Sequence, residues 1–160
     1  MPVKTDDLYT PAWCERNKGK LLGWGASRRV YECKSSPDMV IKVEKGEYAQ
    51  NLYEYHLYNS LKISCEIGRR HIIHYFCPVL DLCGLGKYII MPKAKIMTSY
   101  NQIPKVFRRI FNDLKPSNFG YYRGLPVCVD YGILMEMHAV NKILDIDDEL
   151  RKEREILAKA

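Results

Sequence analysis

Two short polar clusters, and the chain that joins them, constrain the fold most. Asn112-Asp113-Leu114-Lys115-Pro116-Ser117-Asn118 sets an acid, a lysine and an amide in one loop, where the proline disfavours helix. Val129-Asp130-Tyr131-Gly132 puts a second acid at a strand end, before an aromatic residue and a glycine. Between them, Phe119-Gly120-Tyr121-Tyr122 and Val127-Cys128-Val129 flank Arg123-Gly124-Leu125-Pro126, which reads as a short hairpin. A hairpin brings the chain back beside its start, so Asp113, Asn118 and Asp130 are expected to share one site. The residue types suit phosphoryl transfer. Asp113 can accept a hydroxyl proton, and Lys115 can neutralise a transferring phosphoryl group. The Asn118 carbonyl and the Asp130 carboxylate can ligate Mg²⁺, a hard ion that prefers oxygen.

The first half of the chain reads as strands. Leu21-Leu22-Gly23-Trp24-Gly25 leads into Arg29–Cys33, Ser35-Ser36-Pro37-Asp38 is a turn cluster, and Met39-Val40-Ile41-Lys42-Val43-Glu44 is a β-branched run. The period then changes. Leu57, Tyr58 and Leu61 recur at helical spacing between residues 47 and 62, with Glu54 on the same side. Residues 75–82 and 87–91 are expected as a strand pair about Cys83-Gly84-Leu85-Gly86. Residues 99–111 are expected as a helix, with Ile103, Val106, Phe107 and Ile110 on one face. Strong helix formers run from Ile133 to Ala160, with an apolar stripe at Ile143, Ile146, Leu150 and Leu157. The class is therefore α+β.

With 160 residues, the chain has room for one domain with a sizeable core but not for two ordinary ones. Net charge is +6, with 20 basic and 12 acidic groups in residues 1–132 against 5 and 7 in residues 133–160. A cationic body suits a nucleotide or an acidic partner surface, and also serves solubility. Lys105, Arg108 and Arg109 lack an aromatic platform, so nucleic acid is not expected as a partner. No apolar run approaches the length of a membrane span, and Met1–Asp7 has no apolar core of a signal peptide, so a cytoplasmic location without membrane association is expected. None of the six cysteines forms a C-x-x-C pair, which points to reduced, buried thiols. Cys65, His71, His74, Cys77 and Cys83 lack standard zinc spacing, and residues 71–76 read as the entry to a strand.

Two further motifs are weak singly. Gly23-Trp24-Gly25-Ala26-Ser27 lies between strand candidates, where glycines let backbone N–H groups approach phosphates. Lys42 stands inside a strand, where a half-buried ammonium needs an anion. A plain turn and a surface lysine are the simpler readings of each.

Taken in order, the four motifs resemble the protein kinase signature set over residues 20–132. They stand as Gly23-x-Gly25-x-x-Arg28-x-Val30, Val40-Ile41-Lys42, Phe111-Asn112-Asp113-Leu114-Lys115-Pro116-Ser117-Asn118, and Asp130-Tyr131-Gly132. The resemblance implies a two-lobed kinase-like fold, residues 1–160 forming one minimal domain. Its N-lobe, at about 18–91, is an antiparallel sheet with one αC-like helix. A hinge at 92–94 leads to a reduced helical C-lobe at 95–160. It implies that Gly23, Gly25, Ser27 and Val30 cover ATP, that Lys42 holds the α/β-phosphates, and that Lys42 has an ion-pair partner, Glu54 by its helical phase, with Glu44, Glu47 and Glu66 also within reach in sequence. Met91, Pro92 and Ala94 would face adenine, Met91 as gatekeeper. Asp113 would be the catalytic Asp, Lys115 would stabilise the γ-phosphate, and Asn118 and Asp130 would bind Mg²⁺.

Departures from the pattern narrow the sub-type. Arg28 replaces the third glycine, which implies a partial and bulkier phosphate cover. Phe111-Asn112 replaces His-Arg, and no A-P-E follows Asp130-Tyr131-Gly132. The chain is thus similar to the reduced Ser/Thr kinases of bacterial effectors and bacteriophages, which are constitutively competent or partner-activated. A protein substrate or an activating host protein is the implied partner. A pseudokinase-like nucleotide-binding module and a small-molecule phosphotransferase are the alternatives.

Overall fold

The computed structural model describes residues 9–47, 49–68 and 71–132, and in the C-terminal segment residues 143, 145–149, 151, 152, 156 and 159. The chain is mixed α+β and divides into two compact units. One comprises Met1–Tyr55 and Pro78–Lys93, the other His56–Cys77 and Ala94–Ala160.

The first unit is built on a five-stranded antiparallel sheet: β1 (Lys18–Trp24), β2 (Arg28–Cys33), β3 (Met39–Glu44), β4 (Asp81–Cys83) and β5 (Tyr88–Pro92), in the order β1-β2-β3-β5-β4. β3 lies centrally, between β2 and β5, and Val40, Ile41 and Lys42 are all buried. That is the place a β-branched run is suited to fill. Cys14, Cys33, Ile41, Tyr88 and Ile90 form a core cluster on this sheet.

A short helix α1 (Pro11–Asn17) precedes β1, an element the hydrophobic pattern does not announce. Its signal is local. Thr10 caps it by accepting the Trp13 N–H at 3.1 Å, and Pro11 occupies the first turn, where a missing N–H costs nothing. Helix α2 (Gln50–Gly68) follows β3, and its residues from His56 onward belong to the second unit.

In the second unit, β6 (Lys95–Ile96), β7 (Phe119–Tyr122) and β8 (Leu125–Cys128) form an antiparallel sheet. The hairpin forms as expected, turning at Arg123 and Gly124, both with positive φ. Its core is aromatic: Phe107, Phe111 and Phe119 pack at centroid distances of 5.3–5.4 Å, and Phe76 meets Phe111 and Tyr131 edge-on.

Two expected elements differ. Residues 71–76 are not a strand entry: Ile72–Tyr75 is a 3₁₀ turn, and of the expected 75–82 strand only Asp81 and Leu82 join the ladder with β5, while Phe76 makes an isolated bridge to Cys128. The expected helix at 99–111 reduces to a 3₁₀ turn at Tyr100–Gln102, capped by Ser99, and one turn of helix α3 (Phe107–Ile110). Pro104 explains the break, because it removes an amide donor and pushes its predecessor towards extended backbone. Of the C-terminal stripe, Ile143 and Ile146 are helical and buried, while Leu150 and Leu157 lie outside the described residues.

Candidate functional site

Each unit carries a cluster of the residues singled out by sequence. In the first, Lys42 projects from the middle of β3 and is 5% exposed. Its Nζ lies 3.0 Å from Oε1 of Glu54, which is fully buried on the first half of α2. The other oxygen, Oε2, accepts from the guanidinium of Arg28, on β2 and also 5% exposed. Two cations thus share one buried carboxylate, and the Arg28 charge also acts on Glu44. Removal from water is costly for each member, so the mutual pairing has to offset it.

Arg28 therefore lies elsewhere than expected. Its side chain is not a bulky cover over a phosphate loop but a buried partner of α2. Asn51, one helical turn before Glu54, completes the cluster. Its Oδ1 accepts from Arg28 Nη1 at 3.2 Å, and its Nδ2 donates to the carbonyls of Lys42 (3.2 Å) and Lys87 (3.0 Å). Asn51 escaped the sequence reading. The available signal was its i, i+3 spacing to Glu54, which puts both on one helix face. Glu44, at the end of β3, accepts the Asn51 backbone N–H with Oε1, while Oε2 is buried and takes no hydrogen bond among the described residues. Burial pushes the Glu44 carboxyl above its ordinary value, against the pull of the Asn51 and Gln50 backbone hydrogen bonds and of the Arg28 charge.

Gly23 and Gly25 border the turn from β1 to β2. Gly23 is in register with Val30, and Gly25 N–H donates to the Arg28 carbonyl at 2.8 Å. Neither has positive φ, and a Cβ at either would meet nothing within 4 Å. The turn itself therefore does not require glycine at these positions. Ser27 is buried, Val30 half-buried, and the indole of Trp24 is 75% exposed. Met91 and Pro92 are buried on β5. Ala94 is half-buried at the start of the second unit.

In the second unit, Asn118 closes the loop that starts at Asp113. Its Nδ2 donates to the Asp113 carbonyl at 3.2 Å, and its own carbonyl accepts the Val129 N–H at 2.8 Å. Those two bonds tie the Asp113 loop to the residue before Asp130. The structure therefore brings the backbones of Asp113, Asn118 and Asp130 together at the base of the hairpin. Asp113, Asn118 and Asp130 are each half-buried. Lys115 is exposed, with Nζ 3.6 Å from Asp113 Oδ2, a surface pairing of little energetic weight. Tyr131 is anchored below, its hydroxyl donating to the Cys77 carbonyl at 2.7 Å.

As donors, a carboxylate and an amide oxygen fit Mg²⁺, which takes one or two protein oxygens and completes its shell with water and phosphate. Among the described residues no three His, Cys, Asp or Glu side chains are grouped to hold a metal ion by themselves. No helix among them is long and apolar enough to cross a membrane. No protein-family model matches the sequence, and no curated protein matches it.

Proposed function

We propose that this chain is a minimal Ser/Thr protein kinase with a reduced kinase-like fold, transferring the γ-phosphoryl group of ATP to a protein hydroxyl with the help of Mg²⁺. One observation carries the reading: Lys42, buried in the central strand, is held at 3.0 Å by the carboxylate that the signature resemblance singles out, Glu54 of α2. A lysine on a half-buried strand has many possible partners. Pairing with that one acid, twelve residues away on a helix, is what a phosphate-holding lysine needs for orientation.

Three features support it. Arg28 holds the second oxygen of Glu54, so the carboxylate that meets Lys42 is fixed from both sides. Gly23 and Gly25 have no local conformational reason to be glycine, as close approach of a phosphate would supply one. The bonds from Asn118 to Asp113 and from Val129 to Asn118 fix the acid loop through contacts within residues 113–129.

In this reading Lys42 orients the α/β-phosphates. Asp113 accepts the proton of the substrate hydroxyl, and the exposed ammonium of Lys115 neutralises charge on the group in flight. Asn118, through its side-chain oxygen, and Asp130 hold Mg²⁺, which when bound neutralises phosphate charge. Rate acceleration comes from positioning and electrostatics.

The test is calorimetry of Mg·ATP binding, followed by labelled-ATP transfer in lysate. Binding that is lost in Asp130→Ala, and labelled proteins that vanish in Asp113→Ala, are the expected results. No binding to the folded wild type sinks the proposal. Binding without transfer moves the chain to the nucleotide-binding module.

A further inference from the structure

The first unit holds a pair of thiols that the proposed phosphoryl transfer does not use. Cys14, on α1, is fully buried, and its Sγ lies 3.4 Å from Sγ of Cys83, at the end of β4. Cys83 is partly exposed, so a small reagent can reach it while Cys14 stays behind it. The two residues are 69 apart in sequence, and the sulfurs are already in van der Waals contact, short of a bond by little more than an ångström. We infer that Cys14 and Cys83 form an oxidisable pair, Cys83 being the thiol attacked by a hydroperoxide and Cys14 the thiol that resolves it into a disulfide.

The chemistry closes in two steps. The Cys83 thiolate attacks the outer oxygen of the hydroperoxide, the O–O bond breaks, and Cys83 becomes a sulfenic acid while the alcohol, or water, departs with the proton. Cys14 sulfur then attacks the Cys83 sulfur, the S–O bond breaks, and water leaves with the Cys14 proton. Two thiols have lost two electrons, which the hydroperoxide has taken up.

The surroundings assign the roles. Burial pushes both thiols above their ordinary value. Cys83 is the accessible member of the pair and Cys14 the enclosed one, so a hydroperoxide meets Cys83 first. Because the thiolate is the reactive form and burial keeps it scarce at neutral pH, the reaction should accelerate as pH rises. Cys33 lies in the same core cluster and is the competing partner for Cys14. The product would join α1 to the β4 edge, where Glu15 already receives the Tyr88 hydroxyl.

The experiment uses the reduced full-length chain, freed of reductant and treated with a few equivalents of hydrogen peroxide. Non-reducing tryptic mapping is expected to find one early cross-link between the Cys14 peptide and the peptide ending at Lys87. Fragmentation must then assign Cys83, since Cys77 shares that peptide. The thermal midpoint should rise by several degrees and fall back with dithiothreitol, because a long loop is closed in the unfolded chain. In Cys14→Ser a dimedone-trapped sulfenic acid should accumulate on Cys83. In Cys83→Ala, a milder change at a partly exposed position, Cys14 should stay reduced. A Cys14–Cys33 link overturns the inference, as does oxidation of other cysteines first or an unchanged midpoint in the cross-linked wild type. None of these readouts depends on nucleotide chemistry.

Discussion

Arg28 reaches from β2 to the same Glu54 carboxylate that holds Lys42, taking Oε2 while Lys42 takes Oε1. The carboxylate is therefore the member that cannot be spared. Glu54→Gln takes the shared carboxylate from two buried cations and should lower stability by about 3–5 kcal/mol. Lys42→Met leaves the Arg28–Glu54 pair balanced and should cost only about 1 kcal/mol. Urea unfolding of both variants without nucleotide measures the gap, and equal losses would show that Arg28 does not neutralise Glu54.

Gly23→Ala and Gly25→Ala separate folding from binding. A Cβ meets open space at both positions and neither φ is positive, so unfolding free energy should hold or rise by about 0.4–1 kcal/mol. If phosphates approach this turn, Mg·ATP affinity should fall at the same time. Calorimetry beside a thermal melt reads both, and unchanged affinity in the two variants would remove this turn from the nucleotide site.

Glu44 gives the chain a stability slope with a defined sign. Burial raises its carboxyl above the ordinary 4.5, so the folded state holds that proton more tightly than the unfolded chain does. The contribution is present below pH 4.5 and is lost as pH climbs through the folded-state value. Wild type should therefore lose stability relative to Glu44→Gln as pH rises from about 4.5. Parallel pH profiles of the two proteins in urea would refute the assignment.

Gly120→Ala should damage the second unit. Its Cβ would lie 2.9 Å from the Lys95 carbonyl and 3.0 Å from Ala94 Cβ, across the β6–β7 pairing. Backbone cannot yield cheaply, so a loss of about 1–3 kcal/mol is expected. Faster amide exchange at Met97, whose N–H donates to the Phe119 carbonyl, is the local readout.

Much of this architecture is legible from side-chain period alone. Met39–Glu44 is a β-branched run, and Phe119–Cys128 sets aromatic and β-branched residues about a glycine turn; they form β3 and the β7–β8 hairpin where expected. Glu54 stands out because Leu57 and Leu61 fix the phase of its helix, and both are buried. Residues 75–80 mislead because an apolar run can be buried in irregular backbone. Here Cys77 N–H pairs with the Cys128 carbonyl and Leu80 N–H with the Ile90 carbonyl, outside any regular strand of their own. Helix α1 is missed since seven residues with a single buried side chain show no period. Arg28 is misjudged because a charged residue beside a glycine turn reads as exposed, and only tertiary structure supplies the acid that lets it be buried.

The β7–β8 turn has one more implication. Asn118 and Val129 meet at the open end of the ladder, whereas Arg123 and Gly124 close it at the far tip. The distance across the acid-bearing end is set by cross-strand bonds and is indifferent to what is spliced into the tip. A fluorophore, an affinity handle or a surface tether grafted between Arg123 and Gly124 would report on or immobilise the protein while leaving the paired base intact.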